Sequence, residues 1–456
     1  MHGNSVKNHR FALLDIDPRK GLVSLAIPMI IAFLFQTGFN IVDTIFVGRL
    51  GPEAIAGVSL AFPFQMFIIA LSSGFGVGAQ SLIARSIGSN KKTDADKAAG
   101  HAILIAMLAG LVTTSVGLML APTLVSSMDA SVTVSDLCLE YLMPILLGSV
   151  FIYLNMMSNS ILRGEGDTKK PMYFMAIGAV LNIILDPLFI FYFDFGVSGA
   201  AYATILSRLM VNIIIFYYLF HIKGTYTSIN KRSMRPNLGI IKGIVDVGLP
   251  ASLAQIALSL SLFFLNDLVS PFGQNALAAF GVGFRVESVV FLPMIGLSSA
   301  FVSAVGYFKG SGQHDKIRLI NNYALKLLIS FMVVCSLIFF NLPEIIISIF
   351  INEEAVISIG KSYLRILSVF YPLLPFSLLS AAGFQGIGKG YPSLVLAFLR
   401  SGCISVPLAY IFTVYMGRPV SYIWLSIAIG DTLSAIYGYL WFNVEIKRLG
   451  RKVADQ

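Results

Sequence analysis

Charge is what this 456-residue sequence has least of: Asp, Glu, Lys and Arg make up 12% of it and hydrophobic residues 56%. A soluble domain carries roughly twice that charged share, so a water-soluble enzyme or binding module is excluded. Cysteine is scarce and dispersed. Cys138, Cys335 and Cys403 form no CxxC and no metal-ligand spacing, and they read as packing residues. Short alternating apolar segments are missing, which excludes a transmembrane β-barrel. There is no GxxxxGK[ST] sequence, so the chain is not itself an ATPase. The five histidines, His2, His9, His101, His221 and His314, are scattered, leaving no metal cluster or nucleophile set, hence no enzyme and no cofactor. The polar, basic start MHGNSVKNHRFALLDIDPRKG lacks an apolar core beside a cleavage site, so the first helix is expected to serve as its own insertion signal.

What is abundant is apolar sequence in runs of about 20 residues, the length that crosses a bilayer as a helix. Mean hydropathy is +0.81. The runs predict an all-α integral membrane protein with about twelve helices, near 24–48, 54–83, 98–121, 134–162, 171–194, 199–221, 241–268, 276–307, 321–342, 355–384, 392–416 and 419–443. The net charge of +9 sits in short connections rather than on one domain, which argues against nucleic acid. Basic residues follow the even-numbered helices: Arg85, Lys91, Lys92 and Lys97; Arg163, Lys169 and Lys170; Lys223, Lys231, Arg232, Arg235 and Lys242; Lys309, Lys316 and Arg318; Lys389. The connections after odd-numbered helices offer little beyond Arg49 and Arg418. The positive-inside rule then predicts a multi-pass protein of the cell membrane with both termini cytoplasmic, including Lys7, Arg10, Arg19 and Lys20 at the start and Lys447, Arg448, Arg451 and Lys452 at the end.

The two halves repeat. Gly51 and Gly273, Arg163-Gly-Glu-Gly and Gln385-Gly-Ile-Gly, Gly88 and Gly310, and Pro28 and Pro250 all stand 222 residues apart. Six helices per copy is an even number, so both copies share one orientation, a parallel repeat about an axis along the membrane normal. The expected organisation is a cytoplasmic segment 1–23, an N-lobe 24–222, a basic linker 223–242, a C-lobe 243–443 and a cytoplasmic tail 444–456, with two six-helix bundles around a central cleft. The linker charges read chiefly as a solvated interfacial stretch, with anionic lipid headgroups as an alternative partner.

Against this background Asp43, in LFQTGFNIVDTIFVGRLG, is costly: a carboxylate at a helix centre in a bilayer costs roughly 2.5–3.5 kcal/mol on insertion scales. Asp186, in LNIILDPLFIF, falls at a similar depth, with Asn182 one helical turn before it. Tyr141 and Thr204 belong to the same layer. Two carboxylates, an amide and two hydroxyls have the composition of a cation or proton site. Close carboxylates do not both ionise cheaply, so at least one is expected to take up a proton near neutral pH, and the same oxygens at Asp43 and Asp186 would suit Na⁺. The competing reading is a hydrated Asp43 and an Asp186 that merely supports the kink at Pro187.

At these residues the chain resembles the multidrug and toxic compound extrusion (MATE) transporters, particularly the prokaryotic and archaeal DinF-type branch. The stretches that carry the resemblance are IPMIIAFLFQTGFNIVDTIFVGRLGPEAIAGVSLAFPF, SNSILRGEGDTKKPM, LNIILDPLFIF and GVSGAAYAT. The resemblance implies export of organic cations and drugs in exchange for H⁺ or Na⁺, a cation-coupling site at Asp43, Asp186, Tyr141, Asn182 and Thr204, and a conformational hinge at Pro28. Helix 7 carries Gln255 where another branch has a carboxylate, and Leu265 stands where the repeat would place a second Asp43. Gln36 and Asn159 are expected in the substrate cavity, and the chain is expected to act as a monomer. In the C-lobe, Arg285, Glu287 and Asp431 read as a mutually neutralised structural group, with a second ionic network as the alternative, while Arg208 either compensates an N-lobe Asp or faces the cavity. The rival function is a lipid-linked oligosaccharide or lipid flippase of the same superfamily, which should show a strongly cationic cavity.

Overall fold

The computed structural model describes residues 11–128, 130–221 and 224–454. Lys7, Arg10, Lys223, His2 and His9 lie outside these residues, as does the Lys452 side chain. The first half comprises α1 (Ala12–Ile16), α2 (Pro18–Gly48), α3 (Pro52–Gly88), α4 (Lys92–Ser126), α5 (Val132–Leu147), α6 (Ser149–Gly164), α7 (Lys169–Pro187) and α8 (Gly196–His221). The second comprises α9 (Leu238–Val269), α10 (Gln274–Gly310), α11 (His314–Asn341), α12 (Pro343–Ser348), α13 (Glu354–Phe370), α14 (Leu374–Gly386), α15 (Tyr391–Phe398), α16 (Val406–Tyr410) and α17 (Ser421–Ala454). Among the described residues, eleven helical spans are long and apolar enough to cross a membrane, and the pair α5–α6, bent by 53°, makes a twelfth if it is one span. The break falls at Gly148, where an added Cβ would collide with Ile205 on α8. The expected single helix over 134–162 is therefore two half-helices.

Local chemistry sets the helix ends. Asp17 caps α2 by accepting from the Arg19 and Lys20 amides at 3.1 and 3.2 Å, with Pro18 in the first turn. Asn237 caps α9 through the Ile240 amide at 3.1 Å. Gly51 and Gly273, the residues just before α3 and α10, have φ of +119° and +96°, a region that favours glycine. That explains one repeated landmark, and helix packing explains another, Gly88 and Gly310.

The lobes meet chiefly along α3 with α9 and along α2 with α10. Gly74 lies against Ser252 of α9, while its repeat mate Gly296 lies against Ile30 of α2. Gly88 faces the Tyr307 carbonyl, and Gly310 faces the Arg85 carbonyl. Each contact maps onto its mate by the same 222-residue offset, so the pseudo-twofold axis runs between the lobes. Hydrogen bonds close this end: Gln80 Nε2 donates to Ser299 O at 2.8 Å and to Ser303 Oγ at 2.9 Å, and Ser81 Oγ donates to Gln385 O at 2.5 Å. Nearby, Ser303 Oγ donates to Arg163 O at 2.8 Å. All of these residues lie toward the end where the basic connections cluster, called the basic end below.

The segment between the lobes is pinned rather than loose. Buried Glu165, in the loop after α6, accepts from the Tyr226 and Thr227 amides at 3.0 Å each and from the Thr227 hydroxyl. Asp96 accepts from the Ser228 amide at 2.7 Å, and His101 Nε2 from the Asn237 amide at 2.9 Å. Partial burial, with Asp96 and Glu165 nearby, pushes the Tyr226 hydroxyl above its ordinary range. Glu165→Ala is expected to orphan two amides and to cost about 1–3 kcal/mol. Limited proteolysis should then cut within 224–237 in the variant and leave that stretch intact in the wild type. Outside the bundle, Leu108, Leu111 and Met119 of α4 and Phe263 and Phe264 of α9 are exposed, forming a lipid-facing belt.

Candidate cation and substrate site

The five polar residues expected in the N-lobe are brought together by α2, α5, α7 and α8. Asn182 and Asp186 sit one turn apart on α7, and the Asn182 amide donates to Asp186 Oδ1 at 3.2 Å and to Thr204 Oγ1 of α8 at 3.3 Å. Asp186 is fully buried, and Asn182 and Tyr141 nearly so. The charge of Asp43 on α2 acts on both Asp186 and Tyr141, and Gln65 of α3 is a polar neighbour of the Tyr141 hydroxyl. Just past Asp186, Pro187 ends the regular helix and the backbone runs on as a π turn over Leu188–Tyr192. The missing proline amide makes that departure inexpensive.

Three buried oxygens of this cluster, Asp43 Oδ1, Asp186 Oδ2 and Asn182 Oδ1, have no hydrogen-bond donor among the described residues. An unpaired buried acceptor costs roughly 1–3 kcal/mol, so the cluster is chemically fitted to take a proton or a hard cation that prefers oxygen ligands. No group of three His, Cys, Asp or Glu side chains stands together among the described residues. A cation here would thus rest on two carboxylates completed by amide and hydroxyl oxygens.

A cavity of about 510 Å³ lies between the lobes. Gln36 and Asn159 line it, as do Asn182 and Thr204 from the cluster, whereas Asp43, Asp186 and Tyr141 lie behind this wall. Its apolar lining includes Phe33, Phe39, Met66 and Met175, and the C-lobe contributes Gln255, Ser298 and Gln385. Gln255 Oε1 accepts from the Ser73 hydroxyl at 2.8 Å across the lobe boundary. Pro28 is buried inside α2, two residues from Ile30, whose backbone abuts Gly296. A bend there would carry Asp43 relative to the other lobe. Arg208 lines the cavity and forms no ion pair with either N-lobe carboxylate.

The C-lobe differs from the expected neutralised group. Arg285 is exposed, while Asp431 is ion-paired with Arg400. Glu287 accepts from Tyr363 at 2.7 Å and from Tyr371 at 2.8 Å. Spacing could have revealed this: Gln65 with Tyr141 and Glu287 with Tyr363 are mates at the 222-residue offset, and Leu265 and Leu408 replace Asp43 and Asp186. The C-lobe version is internally satisfied. Glu287→Gln is expected to set an amide donor against tyrosine hydroxyls and to cost about 1–3 kcal/mol. A lowered melting temperature with unchanged ion dependence of transport would confirm that structural role.

The MatE family model matches this sequence twice, over residues 28–188 and 250–411, beginning at the two prolines of the repeat. The chain is 28% identical to the probable multidrug resistance protein NorM of Thermotoga maritima, with 90% of this chain and 88% of that protein covered. It is also 28% identical to the FAD transporter of Shewanella oneidensis, covering 88% and 89%. Among solved structures, a MOP superfamily transporter from Pyrococcus furiosus, whose title describes reverse polarity of the binding pocket, superposes with a TM-score of 0.93 at 38% identity, covering 97% and 98%. A multidrug resistance MATE transporter described as outward-facing superposes with a TM-score of 0.92 at 38% identity, with the same coverage.

Proposed function

The chain belongs to the MatE family of multi-pass membrane transporters, and we propose that it is a secondary antiporter in which uptake of H⁺ or Na⁺ at Asp43, Asp186 and Asn182 drives export of amphipathic small molecules. The observation that carries this reading is the set of three donorless buried oxygens at an inter-lobe cavity, that of Asn182 in its wall and those of Asp43 and Asp186 behind it. Tyr141 and Thr204 complete the cluster, Gln36 and Asn159 contact cargo, and Pro28 is the hinge. In this reading residues 24–222 and 243–443 are the moving lobes, joined by 223–242, and the basic end faces the cytoplasm of the cell membrane.

Cation uptake from outside supplies the donor or counter-charge that the oxygens lack, and thereby changes how α2 packs against α7. That rearrangement shifts α2 at Pro28 and reshapes the cavity wall through Asn182 and Thr204, releasing cargo outward. The driving force suffices. One elementary charge crossing 100 mV supplies roughly 2.3 kcal/mol, and a tenfold concentration ratio costs about 1.4 kcal/mol, so one net charge per cycle sustains somewhat under a hundredfold export.

Proteoliposomes with a pH gradient or a Na⁺ gradient imposed separately test the proposal. Efflux of an amphipathic dye should follow one of the two gradients, and efflux that follows neither would reject antiport. The flippase alternative predicts lipid translocation without an ion gradient. The names of relatives range from drugs to FAD, so the class of cargo is best argued from this chain's own cavity.

A further inference from the structure

The cavity wall carries two guanidinium groups, Arg163 and Arg208, and no carboxylate. Neither arginine is ion-paired with a described Asp or Glu. Arg163 stands at the basic end of α6, where Nε donates to Gln80 Oε1 at 3.2 Å and Nη2 to Ser160 Oγ at 2.5 Å, and its Nη1 has no acceptor among the described residues. Arg208 is midway along α8, one turn beyond Thr204, and its guanidinium makes none of the described hydrogen bonds. An arginine held inside a membrane bundle ordinarily requires a partner, because desolvating its charge is costly. The Arg208 guanidinium on the cavity wall, with five N–H donors engaged by no described hydrogen bond or ion pair and no carboxylate on that wall to balance it, therefore points to a ligand.

We propose that the cargo of this cavity is an amphipathic organic anion: an apolar or aromatic body bearing a phosphate, sulfonate or carboxylate, held at Arg208 with Arg163 at the cavity floor. Guanidinium pairs such groups through parallel N–H donors, which gives orientation as well as attraction. Phe33, Phe39 and Met175 supply the apolar wall, and Gln36 and Asn159 are amides able to serve polar edges of either sign. Organic cations, the class implied by the resemblance above, would meet two like charges and no counter-charge on the wall.

The inference rests on the transporter reading only in taking this cavity as the cargo site, and binding alone tests it. Wild-type protein in neutral phosphatidylcholine nanodiscs is titrated by fluorescence polarisation with two xanthene dyes of similar skeleton, a carboxyfluorescein anion and a rhodamine cation. The anion should bind at least about tenfold more tightly, and added salt should weaken it. Arg208→Gln removes no described hydrogen bond, so the variant should fold, with an unchanged melting temperature. It should weaken the anion about tenfold without weakening the cation, and Arg208→Lys should restore part of the loss. Tighter cation binding to the wild type, or an Arg208→Gln variant with unaltered anion affinity, overturns the proposal. Anionic phosphatidylglycerol added to the same nanodiscs separates two sources of the chemistry: displacement of the dye assigns the anion to a lipid headgroup, its retention to a soluble molecule, and both keep the anionic amphiphile. No gradient is involved, so loss of coupling in proteoliposomes would leave this inference standing, while a cation preference in a coupled transporter would sink it alone.

Discussion

Asp43→Asn and Asp186→Asn should each reduce gradient-driven efflux to the level of protein-free vesicles, while leaving the protein inserted and folded. Asparagine preserves side-chain volume and one acceptor oxygen, but it neither takes up a proton near neutral pH nor offers a charge to Na⁺. Each substitution also removes one of two carboxylates that act on each other in a buried setting. The melting temperature should thus hold or rise, which separates loss of coupling from loss of fold. Cargo binding in the cavity should persist, because neither carboxylate lines it. Asn182→Ala is the graded companion: it deletes the amide bridge between Asp186 and Thr204 but leaves both charges. Coupling weakened but present is the outcome expected there.

The second large effect is mechanical. Gly88→Val and Gly310→Val should each force the basic end of the lobe interface apart and abolish transport. A Cβ at Gly88 would overlap the Tyr307 carbonyl oxygen, and one at Gly310 the Arg85 carbonyl oxygen. Backbone atoms have no rotamer by which to withdraw, so the helices themselves must separate. Forced overpacking of this kind costs about 1–3 kcal/mol or more, comparable with the hydrogen bonds of Gln80 and Ser81 that close the same end. Spin labels at Lys91→Cys and Asp315→Cys, one on each lobe beside this contact, report the change in a background freed of native cysteines. Both glycine variants should lengthen the inter-label distance. An unchanged distance distribution in folded variants would show that this contact does not hold the basic end closed.

Much of this architecture is legible in the sequence because bilayers impose length, and duplication imposes register. Twelve apolar runs and one 222-residue offset foretell the helices and the parallel repeat, and the offset reappears as paired glycine contacts at Gly74 and Gly296 and at Gly88 and Gly310. Asp43, Asp186 and Asn182 stand out since charge and amide are expensive in apolar segments. Other features leave no such trace. The close approach at the Gly148 break involves Ile205, a residue 57 positions away that leaves no room for a side chain there. Of the partners of Glu287 and Asp431, Tyr363 is foreshadowed by the 222-residue offset, whereas Tyr371 and Arg400 are tertiary facts that only the packed helices show. Glu165 lies in a short turn motif that reads as a glycine loop until the linker folds back on it. The charge of the cavity wall is of the same kind, since a sequence shows Arg163 and Arg208 but not that their counter-charges are missing.

The central claim is that the cluster of Asp43, Asp186 and Asn182 binds the coupling cation. It is tested most directly by recording cation flux driven by cargo alone. Proteoliposomes containing the wild type, with no ion gradient imposed, are given a cargo gradient, while internal pH and internal Na⁺ are read with separate indicators. Movement of one cation, opposite in direction to cargo and lost in both Asp43→Asn and Asp186→Asn, is the predicted result. Cargo movement with neither ion flux, or cation flux that survives both substitutions, would contradict the account.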